Sequence, residues 1–304
     1  VADAQFAWLI QDYCRKESAK NIPRSWVTIP DTEGLSALVR EANAAHTFGI
    51  SHALIPGNWE GRPGSLEGGA PQYPRNIGDA ARALRDAGVT PGITLDPLQG
   101  NGKSESWMAQ SSDGRTWINL KEEKGREFAV KRIRKIIDCG FGFIVVEDSQ
   151  IPDEALRAFE VTAAQAFTLA VDAVIEAVGT APVAVIPAAK ASLAPVRDNW
   201  LSASAAISRM VEFGIGTAAI QCSQTENKAM GDEEALAMSF WRGPIEFVGA
   251  PPRSVMQPLS KILSGKITVA RPQDSYLNAP LTWLFRSSNS TVGHIGSSIL
   301  QFPG

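Results

Sequence analysis

The stretch KEEKGREFAVKRIRKIIDCGFGFIVVEDS, residues 121–149, holds one complete unit of the fold. Its first half has a helical period: Phe128, Val130, Ile133, Ile136 and Ile137 recur at three- and four-residue steps. Lys121, Glu122, Lys124, Lys131, Arg134 and Lys135 fall outside that stripe and read as a solvated face. Gly140 then ends the helix, because glycine takes a positive φ without a Cβ penalty. FIVVEDS at 143–149 comes next, a short apolar run that stops abruptly at two acids. A strand buried on both faces, as in a parallel sheet, has this character.

Outward from this unit the same rhythm repeats. Strands are expected near 25–29 (SWVTI), 52–56 (HALIP), 91–96 (PGITLD), 182–187 (PVAVIP), 218–222 (AAIQC) and 245–249 (IEFVG), with a weak one near 193–197. Helices are expected at about 33–47, 77–87, 120–138, 153–178, 200–212 and 232–242. Gly49, Gly88, Gly179 and Gly214 return other helices to their strands as Gly140 does. Seven clear strands and one weak one, alternating with helices over about 250 residues, point to a (β/α)8 TIM barrel. A doubly wound sheet is the alternative, but no glycine-rich phosphate loop follows any strand. The expected organisation is a helical extension at 1–20, the barrel at 21–270, and a β-like extension at 271–304.

Composition narrows the function classes. The chain has 304 residues, 44% hydrophobic and 20% charged, with a net charge of −3. That balance argues against a nucleic-acid partner, which would need a basic face. No run approaches the roughly 18 apolar residues of a membrane span. Cys14, Cys139 and Cys222 are too few and too scattered for a disulfide framework or a zinc site. With only His46, His52 and His294, a histidine-based metal centre is not expected, and neither is a cofactor. Tryptophan stands out, at 8 residues against 3 tyrosines.

In a barrel the chemistry sits at the C-terminal ends of the strands. Trp26 and Asp31 follow the first apolar run, and Asn58, Trp59, Glu60 and Arg62 the second. The third ends in Asp96, with Trp107 in the loop beyond, and the fourth in Glu147 and Asp148. Lys190, Asp198, Gln221 and Glu226 stand at later strand ends. Carboxylates and indoles around one mouth suit carbohydrate chemistry, since the C–H face of a sugar packs on tryptophan while its hydroxyls need polar partners. Strand alternation sends Glu147 and Asp148 to opposite sides, so one of them can point into the mouth. Asp96 could equally have no part in the chemistry, and Asp198 could cap the helix near Trp200.

The order of segments resembles the melibiase-type α-galactosidases, a family of retaining glycoside hydrolases. IPRSW at 22–26, LSALVREANAAHTFGISHALIPGNWEG at 35–61, AGVTPGITLDP at 87–97 and CGFGFIVVEDS at 139–149 are similar to its first four strand regions. EEALAMSFWRGPIEFVGAPPRS at 233–254 and SKILSGKITVARPQD at 260–274 are similar to its last helix, last strand and the helix after. The resemblance implies a (β/α)8 barrel with Asp148 as nucleophile. It also exposes departures. Val146 stands where the family has a lysine, and Pro56, Gly57 and Asn58 stand where it has paired aspartates. IPAAK at 186–190 has no acidic match, and Pro195 occupies the place of the acid/base.

Three expectations result. The first is a retaining glycoside hydrolase acting on an α-galactoside-like or related glycoside, secreted or periplasmic. Asp148 would be its nucleophile and Asp198 or Glu226 its acid/base. Trp26, Trp59, Trp107, Asn58, Glu60, Asp96, Glu147 and Gln221 would bind the sugar. The second is a catalytically lapsed barrel that binds glycan or serves as a structural subunit. The third is a lyase or isomerase using Asp96, Glu147 and Lys190. The partner expected in the first is a sugar or glycoside.

Overall fold

A computed structural model describes residue 23 and residues 25–102, 105–147, 151–188, 220–223, 245–250, 271–272, 283–284, 293–295 and 298–300. Seven parallel strands form its centre: β1 (Ser25–Thr28), β2 (His52–Ile55), β3 (Thr90–Leu95), β6 (Phe143–Glu147), β7 (Ala184–Ala188), β8 (Ile220–Ser223) and β9 (Ile245–Val248). The order across the sheet is β7-β6-β3-β2-β1-β9-β8. Each of the seven lies within two residues of its sequence expectation. The last of them, β9, lies directly against the first, with Ser25 opposite Ile245 and Thr28 opposite Val248. A sheet that curls so that chain-end strands meet has this order, and the structure is an α/β fold with a curled parallel half-barrel sheet. The run expected at 193–197, which would lie between β7 and β8, falls outside the described residues.

The two faces of the sheet build separate cores. Val27, Ile55, Ile93, Leu95, Ile144 and Val146 pack outward against the helices. These helices are α1 (Leu35–His46), α2 (Ile77–Asp86), α3 (Glu123–Ile137), α4 (Asp153–Phe159) and α5 (Ala163–Val178). On the opposite, concave face Trp26, Leu54, Phe143, Val145, Ala184 and Ile186 form a second buried cluster. Residues two apart on one strand share a face, so this division follows the pleat. Gly92 makes the concave packing possible: a Cβ there would sit 2.2 Å from Cζ of Phe143.

Two features differ from the sequence reading. The helix expected at 153–178 is broken into α4 and α5. Glu160 takes a left-handed conformation at φ 53, and Thr162 starts α5 with a capping box to Gln165. Each satisfies backbone groups that one continuous helix would have paired internally. In addition, the loop after β3 carries an unexpected hairpin, β4 (Met108–Gln110) with β5 (Thr116–Ile118). Its turn holds Asp113 and Gly114 at φ +80, a strong hairpin pair. Near the C-terminus two short antiparallel pairs form, β10 (Arg271–Pro272) with β11 (Trp283–Leu284), and β12 (Gly293–Ile295) with β13 (Ser298–Leu300). The helices expected at 4–18, 200–212 and 232–242 lie outside the described residues. Among the described residues no single helix is long and apolar enough to cross a membrane.

Candidate functional site

The C-terminal edge of the sheet gathers Thr94, Glu147 and the turn after β2. Along β6, Phe143 and Val145 belong to the concave cluster, and Glu147 shares their parity. Its carboxylate reaches across β3 to the end of β2: a Cβ on Gly57 would lie 3.0 Å from Oε2 of Glu147 and 3.9 Å from Cγ2 of Thr94. The bare backbone of Gly57 therefore makes room for this acid. Val146, on the alternate parity, is fully buried against the helix side. Glu147 thus lies on the concave side of the sheet, and Asp148 lies outside the described residues.

Most of the other expected sugar contacts have structural partners. Trp26 is 1% exposed, packs on Phe143 with ring centroids 5.5 Å apart, and donates from Nε1 to Oε1 of Glu246 at 3.1 Å. Trp59 is 0% exposed and donates from Nε1 to the carbonyl of Thr94 at 2.9 Å. Neither indole has a free face, so both are core residues here rather than stacking platforms. The reason is their path: Trp26 lies within β1, and the 3-10 turn Gly57–Trp59 folds its indole back beneath β3. Trp107 is half-buried against Phe128 of α3, with ring centroids 4.9 Å apart. Asn58 donates from Nδ2 to the carbonyl of Asp31, which ties the β1 and β2 loops together. Its Oδ1 is buried with no hydrogen-bond partner. Asp96 accepts from the amide of Leu98 at 3.1 Å and so closes its own turn. Gln221 stands opposite Glu246 in the β8–β9 register. Lys190, Asp198 and Glu226 lie outside the described residues.

Glu60 is positioned by a network that the sequence did not reveal. It accepts from the amide of Ser65 at 3.0 Å, and burial pushes its carboxyl up to about 7, helped by the nearby Asp96 charge and opposed by Arg132. Arg132, from α3, donates to the carbonyl of Gln99 at 3.3 Å and to that of Gly64. It therefore holds the loops after β2 and β3 together from beneath. Burial pulls its guanidinium down to about 10, against the raising influence of Glu60, Glu67 and Asp96. For both groups the loss of solvent outweighs the mutual attraction. Glu246 is the other acid the sequence reading missed; it faces the concave cluster through Trp26. Its position within an apolar run hid it, because alternation alone does not say which face is lined by polar groups. Among the described residues no group of three or more His, Cys, Asp or Glu could hold a metal ion.

No protein-family model and no curated protein matches the sequence. Solved structures of α-galactosidases do match the fold. The GH36 α-galactosidase AgaA from Geobacillus stearothermophilus, in complex with stachyose, superposes with a TM-score of 0.62 at 10% identity, over 93% of this chain and 50% of that one. The α-galactosidase TtGalA from Thermus thermophilus, bound to p-nitrophenyl α-D-galactopyranoside, gives 0.61 at 17% identity, over 89% and 67%. The α-galactosidase from Lactobacillus brevis gives 0.56 at 12% identity, over 80% and 40%. The chain spans about half the length of AgaA. At these identities the likeness is one of fold, and it bears out the distant resemblance to the α-galactosidase family.

Proposed function

We propose, from a fold shared with α-galactosidases, that this chain carries the barrel of a retaining glycoside hydrolase acting on an α-galactoside-like or related glycoside. In this reading the curled sheet closes through a unit between β7 and β8 into a (β/α)8 barrel. The observation that carries it is the carboxylate of Glu147, aimed from the end of a central parallel strand into the space beside Gly57. An acid in that place is where barrel enzymes keep their chemistry.

The reaction then runs in two displacements. A carboxylate of the β6 pair attacks the anomeric carbon while an acid protonates the departing glycosidic oxygen, leaving a covalent glycosyl ester. Water, deprotonated by the same acid's conjugate base, breaks that ester and restores both groups. The resemblance to α-galactosidases implies Asp148 as nucleophile, and strand parity favours Glu147; we assign the role to Glu147. Asp198 or Glu226 supplies the acid/base, which retention requires at about 5–5.5 Å from the nucleophile. The test is hydrolysis of activated aryl glycosides by the wild type, Glu147→Gln and Asp148→Asn. Loss in Glu147→Gln with folding intact supports the assignment, and full turnover in that variant rejects it.

One observation favours a second reading, a lapsed barrel that binds glycan without cleaving it. Trp26, Trp59, Asn58 and Asp96 are all engaged by the fold itself, which leaves few groups to grip a sugar. Saturable sugar binding by calorimetry, with no turnover of any aryl glycoside, would select that reading.

A further inference from the structure

The loops after β2 and β3 enclose a cleft of about 620 Å3, within the range of about 300–1,000 Å3 typical of small-ligand sites. Arg62 and Arg75 line it together with Ser65, Glu67, Gly68 and Asn101. Among the described residues neither guanidinium has an ion-pair partner. Two guanidiniums facing one carboxylate, Glu67, leave a net positive charge. The backbone of the walls is closely packed. A Cβ on Gly68 would lie 2.2 Å from the carbonyl oxygen of Pro74, and one on Gly64 2.3 Å from that of Gly100. Arg132 joins both loops beneath, through the carbonyls of Gln99 and Gly64.

The geometry points to this cleft as a subsite for a saccharide that carries one anionic group, a carboxylate or a sulfate. Arginine matches such planar or tetrahedral oxyanions with paired N–H donors, and the amide of Asn101 is suited to neighbouring hydroxyls. The single opposing carboxylate of Glu67 disfavours a dense polyanion and can accept from a sugar hydroxyl. Gly61, which lines the cleft, follows the Gly57 turn beside Glu147 by four residues in the same loop. The saccharide identity rests on the glycoside hydrolase reading.

The test is calorimetry on the full chain with a galactotriose in which one residue is oxidised to galacturonate, a monosulfated galactotriose, neutral galactotriose and inorganic sulfate. At low salt the anionic trisaccharides should bind at least tenfold more tightly than the neutral one, and added salt should shrink that preference. Arg62→Ala/Arg75→Ala should abolish it. Both side chains are exposed, so its unfolding midpoint should match the wild type, and circular dichroism checks that. The carboxylated and sulfated probes distinguish the two sources of charge. Equal binding of the neutral trisaccharide, a preference that survives the double substitution, sulfate alone binding as tightly as the sugars, or no binding of either anionic probe would each overturn the proposal. Hydrolysis of neutral aryl glycosides is measured alongside. Turnover without anionic preference removes the subsite alone, and anionic preference without turnover removes the hydrolase reading alone.

Discussion

Replacing Glu60 with glutamine should remove a specific pH dependence of stability. Burial raises this carboxyl from an ordinary 4.5 to about 7 in the folded chain. As pH rises past 4.5, the unfolded chain releases this proton first, while the folded chain keeps it until about 7. Unfolding then releases a proton, so stability falls with rising pH across that window and is flat on either side. At about 1.4 kcal/mol for each tenfold change, the span from 4.5 to about 7 corresponds to roughly 3 kcal/mol. Glutamine keeps the acceptor for the Ser65 amide but has no charge to desolvate. The assay is denaturant unfolding of both proteins at pH 4 and pH 8. The stability of Glu60→Gln relative to wild type should improve by about 3 kcal/mol between those values. A difference that stays the same at both pH values would refute the buried placement of Glu60.

Gly92→Ala should destabilise the chain by about 1–3 kcal/mol in denaturant unfolding, because its Cβ would collide with the Phe143 ring; an unchanged midpoint would contradict the Gly92–Phe143 register. Trp59→Phe removes the donor to the Thr94 carbonyl and should cost about 1–3 kcal/mol while leaving sugar affinity unchanged. A loss of affinity without loss of stability would return Trp59 to the binding surface. Gly57→Ala crowds Oε2 of Glu147, whereas its effect on folding should stay within about 0.5 kcal/mol. Oε2 must then give by a few tenths of an ångström, so turnover of aryl glycosides should fall, by less than the roughly hundredfold that a misplacement of about 1 Å can cost; full activity would mean that Glu147 does not act from this position.

The strands were legible because parallel strands covered on both faces are short continuous apolar runs, each set off by a helix and a glycine. The positive φ of Gly49, Gly88 and Gly140 shows why those glycines punctuate the chain. Two elements escaped for local reasons. The break at Glu160 needs a left-handed conformation that glutamate rarely takes, although the Thr162-x-x-Gln165 capping box just after it was present in the sequence. The β4–β5 hairpin has strands of three residues, too short for alternation to register, although Asp113-Gly114 marks its turn. The site was harder to read than the fold. Strand-end position places a residue at the mouth but not the direction of its side chain: Trp59 turns under β3 and Asp96 closes a turn. Alternation implies opposite sides for Glu147 and Asp148 in an extended strand but not which side faces inward. Packing of Val145 in the concave cluster and Val146 against the helices puts Glu147 on the concave side. Arg132 looked like one more charge on a basic helix, and only its reach to Gln99 and Gly64 sets it apart.

The most direct test of the glycoside hydrolase reading is covalent trapping. The full chain is incubated with an activated 2-deoxy-2-fluoro-α-galactoside-type reagent, which slows breakdown of a glycosyl ester, and the labelled peptide is mapped by mass spectrometry. The expected result is one sugar adduct on the peptide spanning 143–149, carried by Glu147 and absent from Glu147→Gln. An adduct on Asp148 would move the nucleophile by one residue and contradict the parity assignment. No adduct on any carboxylate, at reagent concentrations that inactivate a retaining glycosidase run in parallel, would contradict the hydrolase reading itself.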